Sequence, residues 1–236
     1  MPSLTVPASP MTLADATWPD IDQSPRPRLL VVPVGSLEQH GPHLPLDCDS
    51  VIASAVAAAL VSALPGAGLA PVIPIGVSGE HLGFPGTLSV STHALQTFVV
   101  DLSRHAAPHW DAVMLVNGHG GNRGALEAAA AQCRLEGRTL RIWHVDWPGG
   151  DAHAGHTETS LMLHLAPRRV RLEHLAAGNI RPLAELMPAL RHAGVRAVSP
   201  NGVLGDPRQA TAADGASTFA ALVERALAAC QAATPR

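Results

Sequence analysis

Glu38, His40, His43, Asp47 and Asp49 crowd into one short stretch, directly after an apolar run from Leu29 to Val34 that ends at Gly35. The apolar run reads as a buried strand. Glu38 and His40 are two residues apart, so in an extended segment both side chains project to the same side. Asp49 stands just before an apolar helical run, Val51 to Leu64, where a carboxylate faces the positive end of a helix. Two carboxylates and an imidazole can therefore converge on one point, as a metal cup. A lone loop histidine is more often solvated, and Asp49 by itself would be an ordinary N-cap. The weight comes from the cluster and from its place at the carboxyl end of a strand, where open α/β sheets keep their sites.

Two further clusters follow. NGHGGNRG, Asn117 to Gly124, lies between a short apolar strand and a helix. It fails the dinucleotide fingerprint, because Arg123 stands where the third glycine belongs. His119 instead sits at the same kind of strand end as the first cup, and Gly120 and Gly121 can offer backbone N–H groups at a helix start to a developing oxyanion. DAHAGHTETS, Asp151 to Ser160, supplies His153, His156 and Glu158, with Thr157 as the expected N-cap. Alone it is a capped helix start; as the third His/carboxylate cluster it reads as the wall facing the cup. Glu38, His40, Asp49, His119 and Glu158 form an all-N/O ligand set without thiolate, which suits zinc, manganese or iron(II). With three carboxylates among five ligands, two divalent metal ions fit better than one, Asp49 bridging them. A glycine-rich loop, GVSGEHLGFPGTLSV, carries Glu80 and His81; with His43 they are assigned to substrate binding, although solvent exposure alone would explain them.

Composition excludes other chemistries. All sixteen basic residues are arginine, so neither a Schiff-base lysine nor a P-loop ending in Gly-Lys is available. There is no tyrosine to act as a phenol acid, and no GxSxG elbow. The net charge of −3 and the lack of a basic run argue against nucleic acid and anionic membrane as partners. Cys48, Cys133 and Cys230 are far apart and form no CxxC pair. Met1 to Met11 lacks the charge and apolar core of a signal peptide, and no apolar run reaches membrane-spanning length, so a cytoplasmic location is expected.

The elements that must position the clusters follow in order. A short helix is expected over Met11 to Ile21, and Pro25 and Pro27 end the leader. A helix over Asp49 to Leu64 follows the first strand. A second strand is expected over Leu69 to Ile75, near a sheet edge because of Pro71 and Pro74, then a helix over Thr92 to Ala107 capped by Thr92. Further on come a strand over Ala112 to Val116, a helix through Glu136, and a strand over Thr139 to Val145. Helices over Glu158 to Leu165, Asn179 to His192 and Asp214 to Ala229 complete the chain. Strands alternating with helices argue one parallel or mixed sheet covered on both faces. With no repeat and no linker, residues 1–236 read as one domain.

ExHGxHLPLxxD (Glu38 to Asp49), NGHGGN (Asn117 to Asn122) and HAGxxETS (His153 to Ser160) resemble the three signatures of the creatininase family. SGEHLGFPGT, GGDAHAGHTETSLMLH and GVLGDP resemble one peptidase branch of it over longer stretches. The resemblance implies a three-layer α/β/α sandwich with a mostly parallel sheet, a metal-dependent amidohydrolase, and a homo-oligomer, commonly a hexamer. The branch implies a peptidase that releases the C-terminal Val-Tyr-derived unit from a modified ribosomal precursor peptide. Creatininase itself has a metal-binding Glu where this chain has Gly121; the matching ligand is assigned to Glu158, and the resemblance carries over His153 as proton donor. The expected chemistry is metal-assisted hydrolysis of an amide bond, in that peptide or in a small cyclic amide or formamide. A binding module that uses the same pocket without catalysis is the rival of another class.

Overall fold

The computed structural model describes residues 11–26 and 28–232. Met1 to Pro10 and Pro27, part of the expected leader, lie outside the described residues. Five strands, β1 (Met11–Thr12), β2 (Leu29–Val34), β3 (Ala67–Leu69), β4 (Ala112–Asn117) and β5 (Leu140–His144), form one sheet in the order β1-β3-β2-β4-β5. Every pairing among them is parallel. The helices are α1 (Trp18–Gln23), α2 (Cys48–Ala63), α3 (Thr92–Ala106), α4 (Arg123–Leu135), α5 (His156–Leu165), α6 (Leu183–Ala193), α7 (Val195–Val198) and α8 (Ala212–Ala232).

Alternation along the central strands sorts the core into two layers. Leu30, Val32 and Val34 of β2, with Val113 and Leu115 of β4, pack on Leu95 and Val99 of α3 and Leu126 of α4. Val31 and Met114 face the other way, onto Ile52 and Val56 of α2, Leu161 of α5 and Leu222 of α8. A parallel sheet buried on both faces needs such continuous apolar strands, and the result is the expected α/β/α sandwich. From β2 the chain winds through α2 to β3 on one side, then returns through α3 to β4 on the other. The crevice between the carboxyl ends of β2 and β4 is therefore a topological switch point.

Several local expectations are corrected. Met11 and Thr12 pair with Gly68 and Leu69 as a strand, and the helix begins only at Trp18, where Thr17 donates twice to Asp20 Oδ2 (from its N–H at 2.7 Å and from Oγ1 at 2.6 Å). The second strand is earlier and shorter than Leu69 to Ile75. Beyond Leu69 the chain still runs beside β2, with Ala70 donating to Val31 and Ile73 to Pro33, but Pro71 and Pro74 have no N–H to complete a ladder. Ser91, not Thr92, caps α3 by accepting from the Ala94 amide at 3.1 Å. Helix α5 starts at His156, so Thr157 lies inside it; its first N–H groups, of His156 and Thr157, go to the Asp151 carboxylate. Asn179 belongs to an extended segment bonded to Val203. Helix α6 starts only after Pro182, which biases Arg181 away from helical backbone. Helix α8 begins before Asp214 and runs past Ala229, capped by Thr211, whose Oγ1 accepts from the Asp214 amide at 3.0 Å.

Two glycines allow α2 to seat against the strand ends. A Cβ on Gly35 would stand 2.5 Å from Ser50 Cα, and one on Gly118 would stand 2.6 Å from the Asp49 carbonyl oxygen. Both obstacles are backbone, so neither can swing aside. Gly35→Ala is expected to cost about 1–3 kcal/mol through overpacking, read as a lower midpoint in urea unfolding; an unchanged midpoint would show that α2 is free to shift.

Candidate metal centre

The first cluster leaves β2 as an irregular segment whose return is fixed by a bond from the Glu38 amide to the Leu46 carbonyl at 2.9 Å. That loop brings Asp49, in the first turn of α2, back beneath Glu38 and His40. His40 Nδ1 donates to the Glu38 carbonyl at 3.2 Å, which turns Nε2 toward Asp49 Oδ1 at 3.1 Å. From the end of β4, His119 donates through Nε2 to the Val77 carbonyl at 2.8 Å and presents Nδ1 to Asp49 Oδ2 at 3.2 Å. Asp49 thus lies between two imidazoles, one oxygen toward each. Glu38 Oε2 stands 3.3 Å from His119 Nε2, and Glu38, His40 and Asp49 each offer a ligand atom within 4.8 Å of one another. The third cluster closes the site. Glu158 accepts from the Ala154 amide, and His40, His153 and Glu158 form a second such group. Ala154 adopts a left-handed φ of 52° between His153 and the start of α5, strain of the kind kept at sites.

All five expected ligands converge and are buried. Ligand atoms about 2.0–2.2 Å from one cation stand roughly 3 Å apart, close to the spacings seen here. The fit is tested by Glu38: both carboxylate oxygens are buried and neither has a hydrogen-bond partner. A buried unpaired carboxylate costs several kcal/mol, and a cation removes that cost. Burial pushes Glu38 up to about 7 against the pull of His119, and Glu158 up to about 7 against the pull of His40. Burial opposes charge on His40, yet Asp49 outweighs it and lifts the ring to about 10. His119 is lifted to about 10 in the same way by Glu38 and Asp49. Asp49 is held well below the carboxylate range despite burial, because His40 and His119 flank it. Without a cation the buried carboxylates are thus neutralised by protons on His40 and His119, and a divalent cation bound among them would take over that role by displacing those protons.

The other predicted site residues are placed as follows. His153 and His81 stand beside Glu38 Oε1, at 3.8 and 3.4 Å. Glu80 reaches to 3.9 Å from His119 Nε2. These residues, with Glu38 and His119, line one side of a cleft of about 930 Å³ whose far wall is α6. Gly120 and Gly121 also border the cleft. A Cβ at 121 would strike the Val77 carbonyl and stand 2.9 Å from Glu80 Oε1, whereas one at 120 would meet nothing. His43 is not in the cleft: it is fully buried, with Nε2 bonded to Thr159 Oγ1 at 2.8 Å. His156 lies at the surface near Asp214. A smaller hollow of about 260 Å³ beside Trp110 and Arg138 contains none of these groups.

Sequence reasoning passed over the residues that hold the ligands. Ser36 Oγ donates to Asp49 Oδ2 at 2.7 Å. Asn122 Nδ2 donates to the Gly35 carbonyl at 2.9 Å and Asn117 Oδ1 at 3.1 Å, while its Oδ1 accepts from Val77. Asn117 Nδ2 donates to the His119 carbonyl at 2.7 Å. Gln39 contacts both His81 and His153. The asparagines bracket His119 in NGHGGN, Ser36 precedes Glu38 in the same alternation as His40, and Gln39 falls between the two, so the signal lay in and beside the motifs themselves.

A doubly wound parallel sheet with a buried all-N/O cluster of imidazoles and carboxylates at its switch point is the kind of site at which metal-dependent hydrolases work. The chain belongs to the creatininase family: the family model described as creatinine amidohydrolase matches residues 14–230. It is 49% identical over 217 residues to the mycofactocin precursor peptide peptidase of Mycobacterium ulcerans, covering 89% of this chain and 83% of that protein. It is 51% identical over 200 residues to the peptidase of the same name from Mycolicibacterium smegmatis, covering 83% and 81%. A crystal structure of creatinine amidohydrolase superposes with a TM-score of 0.79 at 25% identity, over 97% of this chain and 100% of that one. Solved creatininases include a zinc–zinc form and a manganese form. No described helix is long and apolar enough to cross a membrane.

Two substitutions test the centre by metal analysis after dialysis. Asp49→Ala is expected to lose bound divalent metal, and Ser36→Ala to weaken metal affinity roughly 10–100-fold while the fold persists. Metal content equal to wild type in Asp49→Ala would exclude the proposed centre.

Proposed function

We propose that the protein is a metal-dependent peptidase that hydrolyses an amide bond of the modified mycofactocin precursor peptide and releases its C-terminal Val-Tyr-derived unit. The observation that carries the reading is the orphaned Glu38 carboxylate, buried at the floor of the cleft, in a chain about half identical to peptidases of that name. Glu38, Asp49 and His119 would hold one cation, and His40, Asp49 and Glu158 the second, with zinc, iron(II) or manganese fitting the donors. When bound, the cations supply a water acidic enough to lose a proton near neutral pH and polarise the scissile carbonyl.

The remaining steps belong to the chain. Backbone N–H groups at Gly120 and Gly121, at the turn leading into α4, face charge developing on the carbonyl oxygen. The water oxygen ends on the carbonyl carbon, the C–N bond breaks, and His153 delivers a proton to the leaving amine nitrogen. Glu80 and His81 shape the near wall of the cleft. Leu183, Met187 and Leu190, spaced along one face of α6, make the far wall apolar. A cleft this large with an apolar wall suits a peptide carrying bulky side chains better than a small cyclic amide or a formamide. We read residues 1–236 as one unit acting in the cytoplasm as a homo-oligomer, hexameric as is common in the family.

Metal-loaded protein incubated with the modified precursor peptide is expected to release the C-terminal dipeptide-derived unit, seen by mass spectrometry, and a chelator is expected to stop it. An intact peptide at full metal content would reject the peptidase reading and turn attention to small cyclic amides and formamides, the substrate class named for the Pseudomonas putida creatinine amidohydrolase, 30% identical over 180 residues, 62% of this chain and 68% of that protein.

A further inference from the structure

Gln39 stands between Glu38 and His40 in the first motif, and its side chain is engaged by partners outside that motif's ligands. It is buried, and its amide is anchored at both ends by backbone. The Gly41 N–H donates to Oε1 at 2.9 Å, and Nε2 donates to the Gly202 carbonyl at 3.0 Å. Backbone donors and acceptors cannot exchange roles, so these two bonds decide which end of the amide is nitrogen. Gly202, at a φ of +82°, presses so closely on the amide that a Cβ there would overlap it. The orientation is therefore locked.

Two imidazoles read that lock. His153 Nε2 lies 2.8 Å from the Gln39 backbone carbonyl, which only accepts, so Nε2 carries the hydrogen and Nδ1 carries the lone pair. His153 Nε2 is also 3.0 Å from the Gln39 amide nitrogen, but with its N–H spent on the carbonyl it has no lone pair to offer. The second amide hydrogen therefore goes to His81 Nδ1 at 2.9 Å. His81 Nδ1 is then an acceptor, and its ring hydrogen sits on Nε2. That atom and His153 Nδ1 make no hydrogen bond to any described residue; their nearest polar neighbour is Glu38 Oε1, at 3.4 and 3.8 Å. Both rings border the cleft, with centroids 4.5 Å apart. One N–H donor and one lone pair thus stand side by side beside Glu38, at the edge of the cleft.

We propose that His81 is a catalytic residue that hydrogen-bonds the scissile carbonyl oxygen through its Nε2–H, that His153 takes a proton of the attacking water on Nδ1 and passes it to the leaving amine nitrogen, and that Gln39 is the positioning residue that holds both rings in those tautomers. The proposal rests on the amide-hydrolysis reading and deepens it. His81 then does more than shape the pocket, and it adds a side-chain donor to the backbone at Gly120 and Gly121. A neutral imidazole suits this task, because a donor that does not give up its proton strengthens its bond as charge develops on oxygen.

The test combines a structural and a kinetic readout on zinc-loaded protein. Long-range proton–nitrogen spectra of protein labelled with nitrogen-15 histidine are expected to show His81 protonated at Nε2 and bare at Nδ1, and to show that preference lost in Gln39→Met. His81→Leu is expected to lower kcat roughly 10²–10³-fold with little change in KM, and His81→Gln, which keeps an N–H donor, to recover part of the loss. Zinc content and melting temperature of each variant confirm that the fold and centre persist. A His81 ring protonated at Nδ1 in the wild type, or a zinc-replete His81→Leu enzyme with kcat within about threefold of wild type, would overturn the proposal. If the wild type leaves the precursor peptide intact but hydrolyses another amide, the kinetics are run on that amide; the peptide reading then falls while His81 is still judged. If it hydrolyses no amide, both fall.

Discussion

Asp49 is a buried carboxylate held between two buried imidazoles, and most of the structure serves to keep it there. In a low-dielectric interior a charge without compensation costs several kcal/mol, and this core holds three carboxylates, Glu38, Asp49 and Glu158, around one point. His40 and His119 each point one nitrogen at Asp49 because the other nitrogen is spent on a backbone carbonyl, of Glu38 and Val77 respectively. Those carbonyls belong to irregular segments, so the segments cannot relax without rotating a ring away from Asp49. The constraint runs from backbone to ring to carboxylate. It holds the ligand geometry before any cation arrives.

The sheet supplies the frame. Parallel winding in opposite directions from β2 leaves a crevice between the ends of β2 and β4, and the loops leaving those strands carry Glu38, His40 and His119. Helix α2 must then approach the strand ends closely enough to insert Asp49, which explains glycine at 35 and 118, where any side chain would meet the backbone of α2. Asn122 ties three segments at this corner, bonding Gly35, Asn117 and Val77. The apolar layers on both faces make the corner rigid, so ligands borne on loops behave as if borne on strands.

The five clustered residues were legible in the sequence because each is carried by local spacing: Glu38 and His40 alternate on extended chain, Asp49 opens a helix, and His119 and Glu158 sit at element boundaries marked by glycine. Elements whose bounds are set by local chemistry were equally readable, as β2 and β4 were from their apolar runs. What escaped depends on contacts that the residue pattern does not announce. The cap of α5 is Asp151, reaching across a loop, and not Thr157. The strand expected at Leu69 to Ile75 was truncated by prolines whose missing N–H groups matter only once β2 lies alongside. Nothing local marks Gln39, since its partners His81, His153 and Gly202 are contributed by three other parts of the chain.

The departure at Gly121 follows from the same packing. The Val77 carbonyl, which fixes His119, sits where a side chain at 121 would begin, and Glu80 Oε1 lies just beyond it. A carboxylate entering from 121 would have to displace the hydrogen bond that orients His119, so in this chain the third carboxylate of the cluster arrives from elsewhere. Glu158 does so from the start of α5, where the Ala154 amide fixes its carboxylate and His40 is within reach. That leaves the His119 side of the centre open to the cleft, with Glu80 at its rim. His81 and His153 flank the other side, where burial and the positive charge of His40 keep both rings neutral. The four imidazoles thus divide by what holds their outer nitrogen and by what faces the inner one. His40 and His119 turn a nitrogen to Asp49, while His81 and His153 turn one toward Glu38 Oε1 at the edge of the cleft.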